Sequence, residues 1–167
     1  QKGSYFELIG NLSDVNAMIR SEGYDQVLSK DNELIKAESQ VANWDRRQGY
    51  TKTKEFLSIR QDIVGVIAGN DEMALGAIMA LKELGLDNKV TVGGFDGSPD
   101  AIGAIQSGDL AYTVLQPVAV FSKEAVIQLD SFLKTGTTGI KTERQSFNCI
   151  LIFSGWSYLG CSDVISV

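Results

Sequence analysis

The sequence has no histidine and only two cysteines, Cys149 and Cys161. That scarcity removes the Cys/His spacings that hold zinc, the Ser-His-Asp and Cys-His nucleophile systems, and any CxxC redox pair. An ordinary hydrolase is not the reading, and neither a metal nor a cofactor is expected. The two cysteines read as small buried or incidental residues, with nothing to support a disulfide between them. No apolar run reaches the roughly 18 residues of a spanning helix. The opening QKGSYFELIG lacks the charged, apolar and small-residue progression of a secretory signal, so the chain reads as mature, processed or truncated. Lys/Arg-rich runs are missing too. Fifteen basic against 21 acidic side chains give a net charge of −6, so no nucleic-acid partner is expected. Neither G-x-G-x-x-G nor G-x-x-x-x-G-K-[ST] follows any expected strand, which argues against a nucleotide-binding doubly wound enzyme.

What is present is a globular composition and a repeated alternation. With 167 residues, 44% of them hydrophobic, the chain can form one sizeable core or one lobe of something larger. SYFELIG (4–10) is strand-like, and Ser13 is expected to cap a helix carrying Val15, Met18, Ile19, Val27 and Leu28 at helical spacing. ELIKAESQ (33–40) is a weaker strand, followed by a loop through Asn43 and Trp44 and a helix containing Tyr50, Phe56 and Leu57. IVGVIAG (63–69) is the continuous apolar run that parallel sheets bury on both faces. Asp71 then starts a helix with Met73, Ala77, Ala80, Leu81 and Leu84 on one stripe, stopped by Gly85. VTVGGFDG (90–97) is a fourth strand, Pro99 sits just inside the next helix, Gly108 ends it, and LAYTVLQP (110–117) is a fifth strand. A long amphipathic helix (118–134), a Gly/Thr-rich connector and the apolar FNCILIF follow. This order predicts an α/β fold: a doubly wound parallel sheet with right-handed crossovers, helices on both faces.

In such a sheet, ligands bind beyond the carboxyl ends of the strands, where loops and helix N-termini converge. Trp44 follows the second strand, Asn70 the third, Asp96 the fourth and Gln116 the fifth. Arg20, on the first helix, has a side chain long enough to lean to the same rim. Together they suit a polyhydroxylated ligand. A carboxylate accepts twice, a guanidinium donates in a fork, amides do both, and an indole covers the C–H face of a sugar ring. Each has a plainer alternative. Asn70 and Asp71 serve equally as helix caps, Asp96 in FDGSPD as a turn residue, Trp44 as packing under a loop, Gln116 as a solvated strand end, and Arg20 as a partner of Glu22.

ANWDR (42–46), GNDEMALGA (69–77), GFDGSPDA (94–101) and TVLQP (113–117) closely resemble the ribose-binding-protein-like branch of the type I periplasmic sugar-binding proteins. The likeness runs to about residue 152, and NDEMALGA and GFDGSPD are its most specific blocks. It implies a periplasmic protein of two α/β lobes that close on a monosaccharide or polyol and deliver it to the membrane subunits of an ABC transporter. It also implies ligand-binding roles for Arg20, Trp44, Asn70, Asp96 and Gln116, with Asn70 reading hydroxyls while Asp71 caps its helix. On this resemblance, residues 1–116 form the C-terminal lobe. Residues 117–147 form a crossing helix and connector that pack on an N-terminal lobe, and 148–167 a return segment and atypical tail. That N-terminal lobe, on the order of 100 residues, and the first helix of the second lobe would precede Gln1. Without them the stripe Val118, Phe121, Ala125, Leu129 and Phe132 is expected to stay uncovered and either promote self-association or leave the helix disordered. The effector-binding core of a LacI-type repressor resembles these proteins in fold and is the alternative, although DNKVTVGGFDGSPDA looks more like the transport branch.

Overall fold

The computed structural model describes residues 2–138, 150–153 and 156–160. Cys149, Cys161, the connector from 139 to 147 and the last residues of the tail lie outside the described residues. The elements run β1 (Gly3–Ile9), α1 (Val15–Leu28), β2 (Leu34–Val41), α2 (Arg46–Ile59), β3 (Ile63–Ala68), α3 (Asp71–Leu84), β4 (Thr91–Gly93), α4 (Pro99–Gln106), β5 (Tyr112–Leu115), α5 (Val118–Thr135), β6 (Ile150–Phe153) and β7 (Trp156–Gly160). They form one sheet in the order β2-β1-β3-β4-β5-β6-β7. Strands β1 to β5 pair in parallel, as the βα alternation requires. That is the expected doubly wound parallel sheet; beyond it, at one edge, β6 runs antiparallel to β5 and β7 antiparallel to β6. The β6–β7 link is too short for the crossover that a parallel pair needs.

One face of the sheet carries the core. Phe6, Leu8, Val66, Ala68 and Val92 are buried with Phe56 and Leu57 of α2 and Met73, Ala77 and Leu81 of α3. The rings of Phe6 and Phe56 stack at 4.3 Å. Helices α2 and α3 approach closely at Gly76, where an added Cβ would stand 2.0 Å from the Arg46 carbonyl oxygen. Backbone on both sides cannot yield easily, so Gly76→Ala is expected to destabilise the chain by about 1–3 kcal/mol, the usual penalty of overpacking. Chemical denaturation checks this, and a variant as stable as the parent would contradict it.

The opposite face is less covered, and here the sequence pattern misleads. The stripe expected on α1 is not its buried side: Val15, Met18, Ile19 and Val27 are exposed, and Ala17 is the buried residue of that helix. Polar contacts tie α1 down instead. Lys36 of β2 reaches Asp25 of α1 and lies 2.7 Å from the buried carboxylate of Glu7 on β1. Asp14, not Ser13, caps α1, its side chain accepting from the Asn16 amide at 2.9 Å. The chain turns between Asn11 and Asp14 before the helix begins, which puts Ser13 inside the turn. Strand β4 ends at Gly93, short of the expected 97, and the backbone beyond it meets β5 again through a single bridge between Asp96 and Leu115. No residue of α5 is buried, and Val118, Ala125, Leu129 and Phe132 are exposed, with Phe121 half-covered. Among the described residues no helix is long and apolar enough to cross a membrane.

Candidate functional site

In the order β2-β1-β3 the chain leaves β1 to one side and returns on the other, so a crevice opens where the carboxyl ends of β1 and β3 diverge. Its floor is glycine. At Gly10, after β1, an added Cβ would fall 2.1 Å from Trp44 Cζ2, and at Gly69, after β3, it would fall 3.1 Å from Trp44 Cζ3. The absence of a side chain at Gly10 lets the indole lie across the strand ends, and at Gly69 a Cβ would crowd it. Trp44 itself sits at φ 64 after Asn43 at φ 51, a left-handed pair that is costly for a bulky residue. Its Nε1 is buried and has no hydrogen-bond partner among the described residues.

Arg20 reaches this rim from α1, its side chain 13% exposed. One guanidinium nitrogen donates to the Gly69 carbonyl at 2.5 Å, and another lies 3.4 Å from Asp96 Oδ1. The guanidinium plane stands over two rings, 5.2 Å from the centroid of Trp44 and 3.9 Å from that of Phe95. Cation–π attraction to both rings helps to orient its fork. Gln116, at the end of β5, donates through Nε2 to the same Asp96 oxygen at 2.5 Å. Asp96 is held at φ 124, a region that side chains rarely occupy.

The pair at the head of α3 divides its work differently from what the resemblance implied. Asn70 is the cap, its Oδ1 accepting from the Met73 amide at 2.9 Å while Nδ2 donates to the Trp44 carbonyl at 3.3 Å. Asp71 is not the cap. It is 1% exposed and turned inward, where it accepts from Thr113 Oγ1 at 2.6 Å and from the Ser98 amide at 2.7 Å. Burial pushes its carboxyl up from the ordinary value, opposed by those hydrogen bonds.

All of the residues singled out in the sequence, Arg20, Trp44, Asn70, Asp96 and Gln116, therefore meet at one rim through direct contacts. The plainer reading of Arg20 as a partner of Glu22 gives way to its pairing with Asp96. Phe95 and Gly10 belong to the same rim and escape the sequence pattern. Phe95 looks like one more apolar strand residue, and Gly10 like a loop glycine; what distinguishes them is their position directly before Asp96 and directly after a strand.

A doubly wound lobe whose switch point gathers a donor fork, a carboxylate, two amides and an aromatic face has the architecture of the small-molecule-binding lobes of α/β binding proteins. The chain belongs to the periplasmic binding protein domain family, whose model matches residues 1–138. It is 46% identical over 152 residues to a D-apiose import binding protein of Paraburkholderia graminis, covering 91% of this chain and 48% of that protein. With a ribose import binding protein of Haemophilus influenzae it shares 36% identity over 115 residues, 69% of this chain and 38% of the relative. Among solved structures it resembles an ABC transporter solute binding protein from Bacillus halodurans with bound myo-inositol. That likeness has a TM-score of 0.84 and 29% identity, and covers 92% of this chain and 52% of the other. The chain thus spans about half the length of the relatives it matches.

Proposed function

We propose that this chain is one lobe of the solute-binding component of an ABC-type sugar importer, taking a monosaccharide or polyol in a periplasmic cleft between itself and an N-terminal lobe. Residues 1–116 make the binding lobe, 117–147 the crossing helix and connector that pack on the other lobe, and 148–167 the return segment and tail. Its work is binding, not catalysis. The observation that carries this reading is the convergence of Arg20, Trp44, Asn70, Asp96 and Gln116 on the β1/β3 crevice. Support also comes from relatives named for the import of D-apiose and ribose. Among the described residues, the two side-chain donors to Asp96 both fall on Oδ1; Oδ2 is the oxygen we assign to the ligand's hydroxyls. Arg20 and the amides supply donors around the ring, and the indole supplies its apolar contact.

The test is titration of a two-lobed protein containing this chain with a panel of pentoses, hexoses and polyols, read by calorimetry and by tryptophan fluorescence. One or more of these ligands is expected to bind and to shift the emission of Trp44. A Trp44→Phe variant that kept the whole signal would contradict the placement of the indole at the ligand, and a panel without any binder would reject the sugar reading.

A further inference from the structure

Asp96 lies in a short loop that is held on both sides of it, by groups that do not belong to the rim. The Asp71 amide donates to the Phe95 carbonyl at 2.7 Å, ahead of Asp96. Behind it, the Gly97 amide donates to Thr113 Oγ1 at 3.0 Å and the Ser98 amide to Asp71 Oδ2 at 2.7 Å. Thr113 Oγ1 in turn donates to Asp71 Oδ1 at 2.6 Å, which joins the two holders. Asp71 and Thr113 are 1% and 0% exposed. They reach each other through Gly94, where an added Cβ would stand 2.4 Å from Asp71 Oδ1. The loop so held contains φ 124 at Asp96 and φ 74 at Gly97. A backbone of that kind persists only where its surroundings over-determine it.

We propose that Asp71 and Thr113 form a buried clamp that positions the 95–98 loop and thereby aims the Asp96 carboxylate into the crevice. Neither touches the ligand; both are positioning residues that act through Asp96. The clamp uses the amides of Gly97 and Ser98 and the carbonyl of Phe95, and leaves the Asp96 side chain to Arg20, Gln116 and the sugar. It also accounts for a buried carboxylate at the head of α3 where Asn70 already does the capping. As an account of affinity the clamp rests on the proposed role of Asp96 in sugar binding; as a structural device it stands alone.

The experiment compares Thr113→Val, which keeps the shape and removes the hydroxyl, with Thr113→Ser, which restores it, and with Asp71→Asn, which cannot accept from both donors. Amide hydrogen exchange on the 167-residue chain is the first readout. In Thr113→Val the Gly97 and Ser98 amides are expected to exchange at least about tenfold faster relative to the core amides of Leu8, Val66 and Leu81, the scale of one lost buried hydrogen bond. Thr113→Ser should return them to the parent rate. A role confined to general stability would move core and loop amides together and would overturn the proposal. If Thr113→Val does not fold, the same ratio in Asp71→Asn decides. The second readout is sugar affinity in the two-lobed protein, expected to fall about tenfold in Thr113→Val, in step with the freed loop, and to recover in Thr113→Ser. A freed loop with unchanged affinity, where Asp96→Ala abolishes binding, would show that the clamp does not aim Asp96. Binding untouched by Asp96→Ala would instead sink the proposed role of Asp96, while loop exchange still judges the clamp.

Discussion

In a two-lobed protein containing this chain, Asp96→Ala is expected to lower sugar affinity at least about 100-fold while changing the unfolding of the lobe little. A hydrogen bond to a charged group contributes about 1.5–3 kcal/mol, and a carboxylate facing a sugar accepts from two hydroxyls. Losing two such bonds costs about 3 kcal/mol or more, which is two tenfold steps of about 1.4 kcal/mol each. The loss reaches further, because Arg20 and Gln116 both donate to Asp96 Oδ1 and would each lose that acceptor. Stability is spared for a different reason. The Arg20–Asp96 pair is 3.4 Å apart with the carboxylate 36% exposed, and ion pairs open to solvent contribute little. Asp96→Gly sharpens the test: φ 124 suits glycine, so this variant should lose the sugar equally and yet resist denaturant better than the parent. Unchanged affinity by calorimetry in either variant would remove Asp96 from the site.

The 167-residue chain by itself is expected to show no sugar binding below the millimolar range. Small-ligand sites bury most of the ligand between their walls, and a single lobe offers one wall and an open, hydrated rim. Half the contacts, and the closure that excludes water, would have to come from a second lobe. The proposed second lobe also bears on α5. Val118, Leu129 and Phe132 stand exposed on a helix with no buried residue, and an apolar stripe of that extent favours association. Light scattering should therefore report association that weakens when Leu129→Glu and Phe132→Glu break the stripe, or else a monomer whose α5 amides exchange freely. A monomer with a protected α5 and micromolar sugar affinity would show that one lobe suffices.

How far the sequence alone reaches is clearest around α3. IVGVIAG and the stripe Met73, Ala77, Ala80 and Leu81 are local patterns, and the structure has a buried strand, a turn and a helix there, stopped by Gly85 at φ 65. Trp44, Asn70, Asp96 and Gln116 were legible because each follows within three residues of a strand, and a parallel sheet brings all such positions to one edge; Arg20 was legible only as a long side chain on the first helix. Between Asn70 and Asp71, however, local pattern has no preference. Both can cap a helix, and the choice falls to Thr113, 42 residues away, which takes Asp71 inward and leaves the cap to Asn70.

The parallel β1–β5 sheet and the gathering of the polar residues at its carboxyl edge follow from the alternation of apolar runs and amphipathic helices, whereas the order β2-β1-β3 that opens the crevice there is seen only in the structure. Other features belong to tertiary structure alone. Apolar residues of α1 can be picked out at helical spacing, yet Ala17 is the residue this helix buries: spacing names a candidate face, and only what packs against the helix makes that face a core. Likewise φ 124 at Asp96, the clamp of Asp71 and Thr113 around it, and the indole resting on Gly10 and Gly69 arise from contacts between distant segments. Short-range propensity carries no record of such contacts, because each depends on which backbone happens to lie opposite after the sheet has formed.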